Sequence, residues 1–188
     1  MNPDEKQALL QDIQRYLKAH YVPEESSSTR FPFPILGMAS AVSDSHDFRN
    51  GRLSPSARDA LLLGVQNMLQ PGFRELLFDM IRKKGMDNVE LYHRSDITKA
   101  HFSKIKNDEN YHPSKETVLA LALGLKLTLD ETKNLLERAG YTLTASSQTD
   151  IIVKCFIDRH IYDINELNDV LDYFGLSTLT NHKRSRIM

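Results

Sequence analysis

The sequence predicts an all-α protein, and three observations carry that expectation. Apolar residues recur at three- and four-residue spacing along several stretches, for example Leu9, Leu10, Ile13, Tyr16 and Leu17, which is the period of a helix with one buried face. Helix-start signals, a Ser, Thr or Asp followed by helix formers, stand before most of these stretches, and glycines stand after several of them. No β-hairpin signal in the sequence is convincing.

Taken in order, the first element is an amphipathic helix from about Asp4 to Tyr21. Pro23 to Pro34 (PEESSSTRFPFP) reads as linker, because prolines and a serine run disfavour both helix and ladder. Ile35 to Asn50 gives no assignable pattern. Ser54-Pro55 then reads as cap and first helical residue of Ala57 to Leu69, with Leu61, Leu62, Val65 and Leu69 expected inward. Pro71-Gly72 stops it. From there short helices follow each other: Phe73 to Lys84, ended by Gly85; Asn88 to Arg94; Thr98 to Lys106; the apolar run Val118 to Leu127, capped by Ser114; and Leu129 to Ala139, opened by the capping box Thr128-Leu-Asp-Glu131 and ended by Gly140. Two more are expected, Asp150 to His160 and Asp163 to Phe174. The division is therefore 1–22 N-terminal helix, 23–53 linker and irregular chain, 54–70 connecting helix, 71–145 a five-helix domain, 146–176 a C-terminal helical pair, and 177–188 a basic tail.

Composition sets bounds on function. The chain has 188 residues, 24 basic and 25 acidic side chains, seven His, one Cys and no Trp. A net charge of -1 excludes a whole-surface polyanion binder and confines any nucleic-acid site to a local patch. Cys155 alone forms neither an internal disulfide nor a thiolate metal site, and within an apolar helical run it reads as a small buried hydrophobe. No run approaches the ~18–20 apolar residues of a membrane span, so a cytoplasmic protein without membrane association is expected.

Residue types with catalytic potential do not assemble into a pattern. Ser43-Asp-Ser-His-Asp47 sets triad residues side by side, where they do not face each other. Gly37-Met-Ala-Ser-Ala41 lacks the second glycine of a nucleophile elbow. The histidines show no zinc-type spacing, and the eight glycines are scattered singly. The expectation is no enzyme, no catalytic residue, no metal and no cofactor. Arg82-Lys83-Lys84 complements a helix C-terminus, and His182-Lys-Arg-Ser-Arg186 is a solubilising end or a segment that trails along phosphates.

Five short helices with a three-residue turn between the second and third have the layout of a helix-turn-helix domain. The stretch Asn88 to Lys106 (NVELYHRSDITKAHFSKIK), followed by Pro113 to Leu127 (PSKETVLALALGLKL), resembles the lambda-repressor-like (Cro/XRE) family, over about residues 73–140. Ile97, Phe102 and Ile105 fill its apolar slots, Pro113-Ser114 its loop, and Thr128 to Glu131 the start of its fifth helix. The resemblance implies double-stranded DNA as partner, with a recognition helix opening at Thr98. It implies Lys99, Ala100, Ser103 and Lys104 as groove-facing positions and Asn88 and Asn107 as backbone contacts. Lys99 or Lys104 would donate to guanine, and the Ala100 methyl would touch a thymine methyl. Two positions depart from the family pattern: Tyr92 where a small residue is usual, expected to splay the helices or pack outward, and Asp96 where glycine is usual. Over residues 71–145 the chain has 12 basic and 11 acidic residues, a net of +1.

The expected functions are a bacterial-type transcriptional regulator or, alternatively, a helical interaction module, an adaptor or antitoxin-like subunit of a stress or defence operon without DNA binding. The second would use the N-terminal arm, with Phe31 and Phe33 between prolines, to hold a protein partner. A homodimer held by the N-terminal helix is expected, with Ile152, Phe156, Ile164, Leu167, Val170 and Leu171 covering their own domain's core.

Overall fold

The computed structural model describes residues 3–22, 58, 59, 62–64 and 71–180. Two units partition the chain, residues 1–26 with 71–188 in one and 27–70 in the other. In the second unit residues 58–59 and 62–64 are helical. Leu62 is 59% exposed there, so the inward position expected of it is not taken. Leu61, Val65, Leu69, the linker and the irregular stretch lie outside the described residues, as do Phe31, Phe33 and the Ser43–Asp47 run.

The first unit is all-helical over its described residues. Its helices are α1 (Pro3–His20), α2 (Phe73–Lys83), α3 (Asn88–Arg94), α4 (Lys99–Asn107), α5 (Lys115–Gly124), α6 (Leu129–Arg138), α7 (Gln148–Asp158) and α8 (Ile164–Tyr173). No described helix is long and apolar enough to cross a membrane.

The architecture is organised around α5. Every residue from Thr117 to Gly124 is buried, so this helix is apolar on all sides and must be surrounded. It packs against α3, α6 and α8. Leu91, Ile105, Leu121, Leu136, Phe156 and Leu171 share one cluster with it.

The N-terminal helix joins that same core. Leu9 is 5% exposed and Ile13 fully buried, with Leu10, Tyr16 and Leu17 half-buried beside them. The helix lies on α7. Asp12 accepts from Arg159 at 2.9 Å, Lys6 pairs with Asp169 at 2.9 Å, and the Val22 amide donates to the Ala145 carbonyl at 2.9 Å. Burying two large aliphatic side chains stabilises by ~1.5–3 kcal/mol each, whereas the exposed pairs add under ~1 kcal/mol each. The apolar stripe reserved for a second subunit is therefore covered by its own chain. Residues of the segments 1–22, 71–145 and 146–176 share one core, and Ile152, Phe156, Ile164, Leu167, Val170 and Leu171 cover it as expected.

Six helices close in the same manner. The residue after the C-cap turns left-handed at Gly85, Asp96, Lys126, Gly140, His160 and Gly175, with φ between 50° and 75°. The next residue, always apolar or aromatic, returns its N–H to the carbonyl five positions back, as Ile97 does to Tyr92 at 2.9 Å and Leu127 to Ala122 at 3.0 Å. This is the Schellman closure. Asp96, Lys126 and His160 adopt it without the freedom of glycine, at ~1–2 kcal/mol each.

Helix starts agree with the expected caps at Ser114, Thr128 and Asp163, and Thr98, expected as the first residue of its helix, is the cap of a helix that opens at Lys99. The seventh helix is the exception, since it opens at Gln148 with Ser147 as cap rather than at Asp150. Asp150 is already inside it, 2% exposed, accepting from Lys115 Nζ at 2.6 Å and from the Thr144 amide at 2.8 Å.

Candidate nucleic-acid interface

Helices α3 and α4 are joined by the four residues Ser95 to Thr98. Each helix is capped by its own sequence: Asp87 accepts from the Val89 amide at 3.3 Å, and Thr98 Oγ1 from the His101 amide at 3.2 Å. Asp96 takes the left-handed position at φ 50°, which an aspartate tolerates better than most side chains. Its carboxylate also accepts from the Thr180 hydroxyl at 2.7 Å.

One side of α4 anchors it. Phe102 and Ile105 are 4% and 2% exposed, and Ile97 packs beside them. The Phe102 ring meets Phe78 edge-on at 6.2 Å and Tyr92 at 6.0 Å. Tyr92 is thus turned onto α4 rather than outward toward a partner, which corrects the expectation for this departure. The close approach that asks for small side chains lies one turn on, between Ser95 and Gly124. Ser95 is fully buried, and a Cβ on Gly124 would collide with its hydroxyl.

The other side of α4 is open. Thr98, Lys99, Ala100, Ser103, Lys104 and Asn107 are all exposed. At ~100° per residue, Lys99, Ser103, Asn107, Ala100 and Lys104 fall within roughly 140° of arc. Asn107 Nδ2 donates to Ser103 Oγ at 3.0 Å, so these two amide and hydroxyl groups are set by each other. Asn88, at the start of α3, is half-buried.

The electrostatics differ from those of the surrounding surface. The segment KAHFSKIKN contains three lysines and no acid, while neighbouring cations are neutralised nearby. Arg82 and Lys83 both pair with Asp79, at 3.1 and 2.7 Å, and hold its carboxyl below the usual range. Lys84 pairs with Glu131 at 3.2 Å, Arg94 with Glu90 at 2.9 Å, and Arg74 with Glu109 at 3.1 Å. The local positive patch is therefore α4 itself.

Tyr111 is a residue the sequence reading missed. Lys104 Nζ stands 4.8 Å over its ring, a cation–π contact worth ~0.5–1 kcal/mol at an exposed site. The Tyr111 hydroxyl is 2.7 Å from His101 Nε2. Burial, and secondarily the Lys104 charge, push the His101 imidazole below its ordinary 6.5. His101 is thereby kept neutral and orients the ring on which Lys104 rests. Only the aromatic's position just beyond α4 hinted at this role.

Cys155 is buried, and burial pushes its thiol upward, as a small core hydrophobe requires. Among the described residues no group of three His, Cys, Asp or Glu could hold a metal ion. Compared with known proteins, the chain matches no family model, no curated protein and no solved structure.

Proposed function

We propose that the protein is a sequence-specific DNA-binding transcriptional regulator. In this reading residues 73–140, with α2 to α6, form a lambda-repressor-like helix-turn-helix domain, and α4 is the recognition helix. The observation that carries it is the contrast between the two sides of α4: Phe102 and Ile105 are buried, while Lys99, Ala100, Ser103, Lys104 and Asn107 are presented together on an acid-free helix. A recognition helix needs both properties, an anchored back and a polar, cationic front that enters the major groove.

Roles follow from chemistry. Lys99 and Lys104 donate to guanine O6/N7 or to phosphate, and the Ala100 methyl meets a thymine methyl. Ser103 and Asn107, bonded to each other, present a fixed donor and acceptor. Thr98 and Asn88 serve the backbone near the helix ends. Two half-sites one helical turn apart would be read by a dimer, whose interface lies elsewhere than the covered stripe of α1.

The test is selection of bound duplexes from a random pool at moderate salt, followed by titration of Lys99→Ala and Lys104→Ala on the selected site. Each variant is expected to bind ~10–100-fold more weakly, with an unchanged unfolding midpoint in Lys99→Ala and a loss of no more than the ~0.5–1 kcal/mol of the Tyr111 contact in Lys104→Ala. No enriched sequence, or full affinity in both variants, refutes the proposal.

A further inference from the structure

A cleft of about 240 Å³ lies where the end of α1 meets α6 and α7. Tyr16 and His20, one turn apart on α1 with ring centroids 4.2 Å from each other, form one wall. Leu143 from the α6–α7 connection and Ile151 of α7 form another, and Lys133 of α6 and Lys154 of α7 complete the lining. The backbone around it is fixed. The Val22 amide donates to the Ala145 carbonyl at 2.9 Å, and the Thr144 amide donates to the Asp150 carboxylate at 2.8 Å. The cleft is therefore set by packed elements and is open before any ligand arrives, as small-ligand sites usually are.

Its charge is one-sided. Lys154 has no hydrogen-bond or ion-pair partner among the described residues. Lys133 reaches only Asp130, at 3.5 Å, a carboxylate 95% exposed, and such a pair holds weakly in water. The acid in the lining, Asp150, is 2% exposed and closed by Lys115 at 2.6 Å and by the Thr144 amide and hydroxyl at 2.8 and 3.3 Å. It enters the wall as half of a neutral pair. Two ammonium groups with unspent donors thus stand over apolar surface supplied by Tyr16, Leu143 and Ile151.

We propose that this cleft binds a small organic acid, a monocarboxylate with an apolar body. Lys133 and Lys154 hold the carboxylate, and the body lies against Tyr16, Leu143 and Ile151. The volume of about 240 Å³ equals roughly eight waters of ~30 Å³ each, room for a compound of roughly ten non-hydrogen atoms and too little for a nucleotide. A polyanion would also press part of its charge onto the apolar wall, which costs free energy that two lysines do not return. Because one wall is α1, a bound acid joins this helix to α6 and α7. The inference is independent of α4 and of DNA.

The experiment titrates the full chain calorimetrically with 3-phenylpropionate and with its uncharged analogue 3-phenylpropanol. Saturable one-to-one binding of the acid is expected in the low millimolar range or tighter, with the alcohol bound more weakly. Lys133→Gln/Lys154→Gln is expected to bind the acid about tenfold more weakly, the effect of losing one charged hydrogen bond, and to bind the alcohol as the wild type does. Ala145→Phe, which fills the cleft from its own lining, is expected to abolish saturation. Amide exchange from Tyr16 to His20 is expected to slow when the acid is bound to the wild type. No saturation by the acid up to about 20 mM overturns the proposal, since a compound of this size in a fitting site binds more tightly. Equal affinity for the acid in the double-lysine variant and the wild type overturns the carboxylate assignment. Full binding in Ala145→Phe, or unchanged exchange in α1, overturns the site.

Discussion

The Ser95 hydroxyl and the Cα of Gly124 face each other where α3 crosses α5, with no room between them for a methyl group. Ser95 Oγ is also buried without a hydrogen-bond partner. The two residues are matched in size, and the hydroxyl is the surplus atom.

Gly124→Ala is expected to destabilise by about 1–3 kcal/mol, the usual range for overpacking a close contact. Ser95→Ala removes a buried unpaired hydroxyl and is expected to be neutral or stabilising by about 1 kcal/mol. The double variant should recover part of the Gly124→Ala loss, with a coupling above ~0.5 kcal/mol. Leu91 Cδ1 at 3.1 Å and Ser95 Cβ at 3.3 Å from the added methyl keep the recovery incomplete. Urea unfolding of the four proteins measures the cycle, and strict additivity would disprove the contact.

Asp150 and Lys115 tie α5 to α7. Asp150→Ala leaves Lys115 partly buried without its partner and frees the Thr144 amide, so a loss of about 3 kcal/mol is expected. Asp150→Asn retains an acceptor for Thr144 and should cost less. Equal losses in the two variants would place the stabilisation in the charge alone.

His101 gives a sign for pH dependence. Its folded imidazole binds a proton less readily than the unfolded one at 6.5, so the unfolded state takes up more protons as pH falls. The stability it contributes is complete above pH 6.5 and is lost as pH drops below that value. His101→Gln should flatten the fall in urea midpoint between pH 7.5 and 5.5 relative to wild type. Parallel pH profiles would exclude it as the titrating group.

Lys126 occupies a left-handed position at φ 51°. Relief of ~1–2 kcal/mol of strain exceeds the ~0.5–1 kcal/mol of extra chain entropy that a glycine loses on folding. Lys126→Gly is therefore expected to raise the unfolding free energy by about 0.5–1 kcal/mol. Asp96→Gly relieves less strain, since an aspartate tolerates this position better, and forfeits the Thr180 bond, worth about 1 kcal/mol, so it should gain less. Thermal melts of both variants make the comparison, which fails if Asp96→Gly gains the more.

Local chemistry made the helices readable. Ser114, Thr128 and Asp163 are caps in the sequence because each oxygen serves an amide two or three residues on, an interaction that needs no tertiary partner. Near Ser147 the same logic missed the start by offering several cap residues in a row, and the one inside the helix, Asp150, is spent on Lys115 35 positions away. The apolar run of α5 was legible as a helix, but its enclosure was not. Tyr92 was read as an outlier because its partner Phe102 lies on the next helix. Arg82 to Lys84 were legible as cations that complement a helix C-terminus, but their pairing with Asp79 and Glu131 was not. The Thr180–Asp96 bond has no trace in the sequence, since neither residue type nor spacing announces a contact across 84 positions.

The enclosure of α5 has a consequence for how the molecule opens. Its residues Thr117 to Gly124 are all buried and it packs against α3, α6 and α8, so that stretch is not laid open by the fraying of a single surface helix. Hydrogen exchange at α5 then reports only the rarest event, whole-unit opening, while exchange along the exposed front of α4 reports something faster and more local. The gap between those two exchange rates measures how far the α4 surface can rearrange to fit a ligand before the core that holds it gives way.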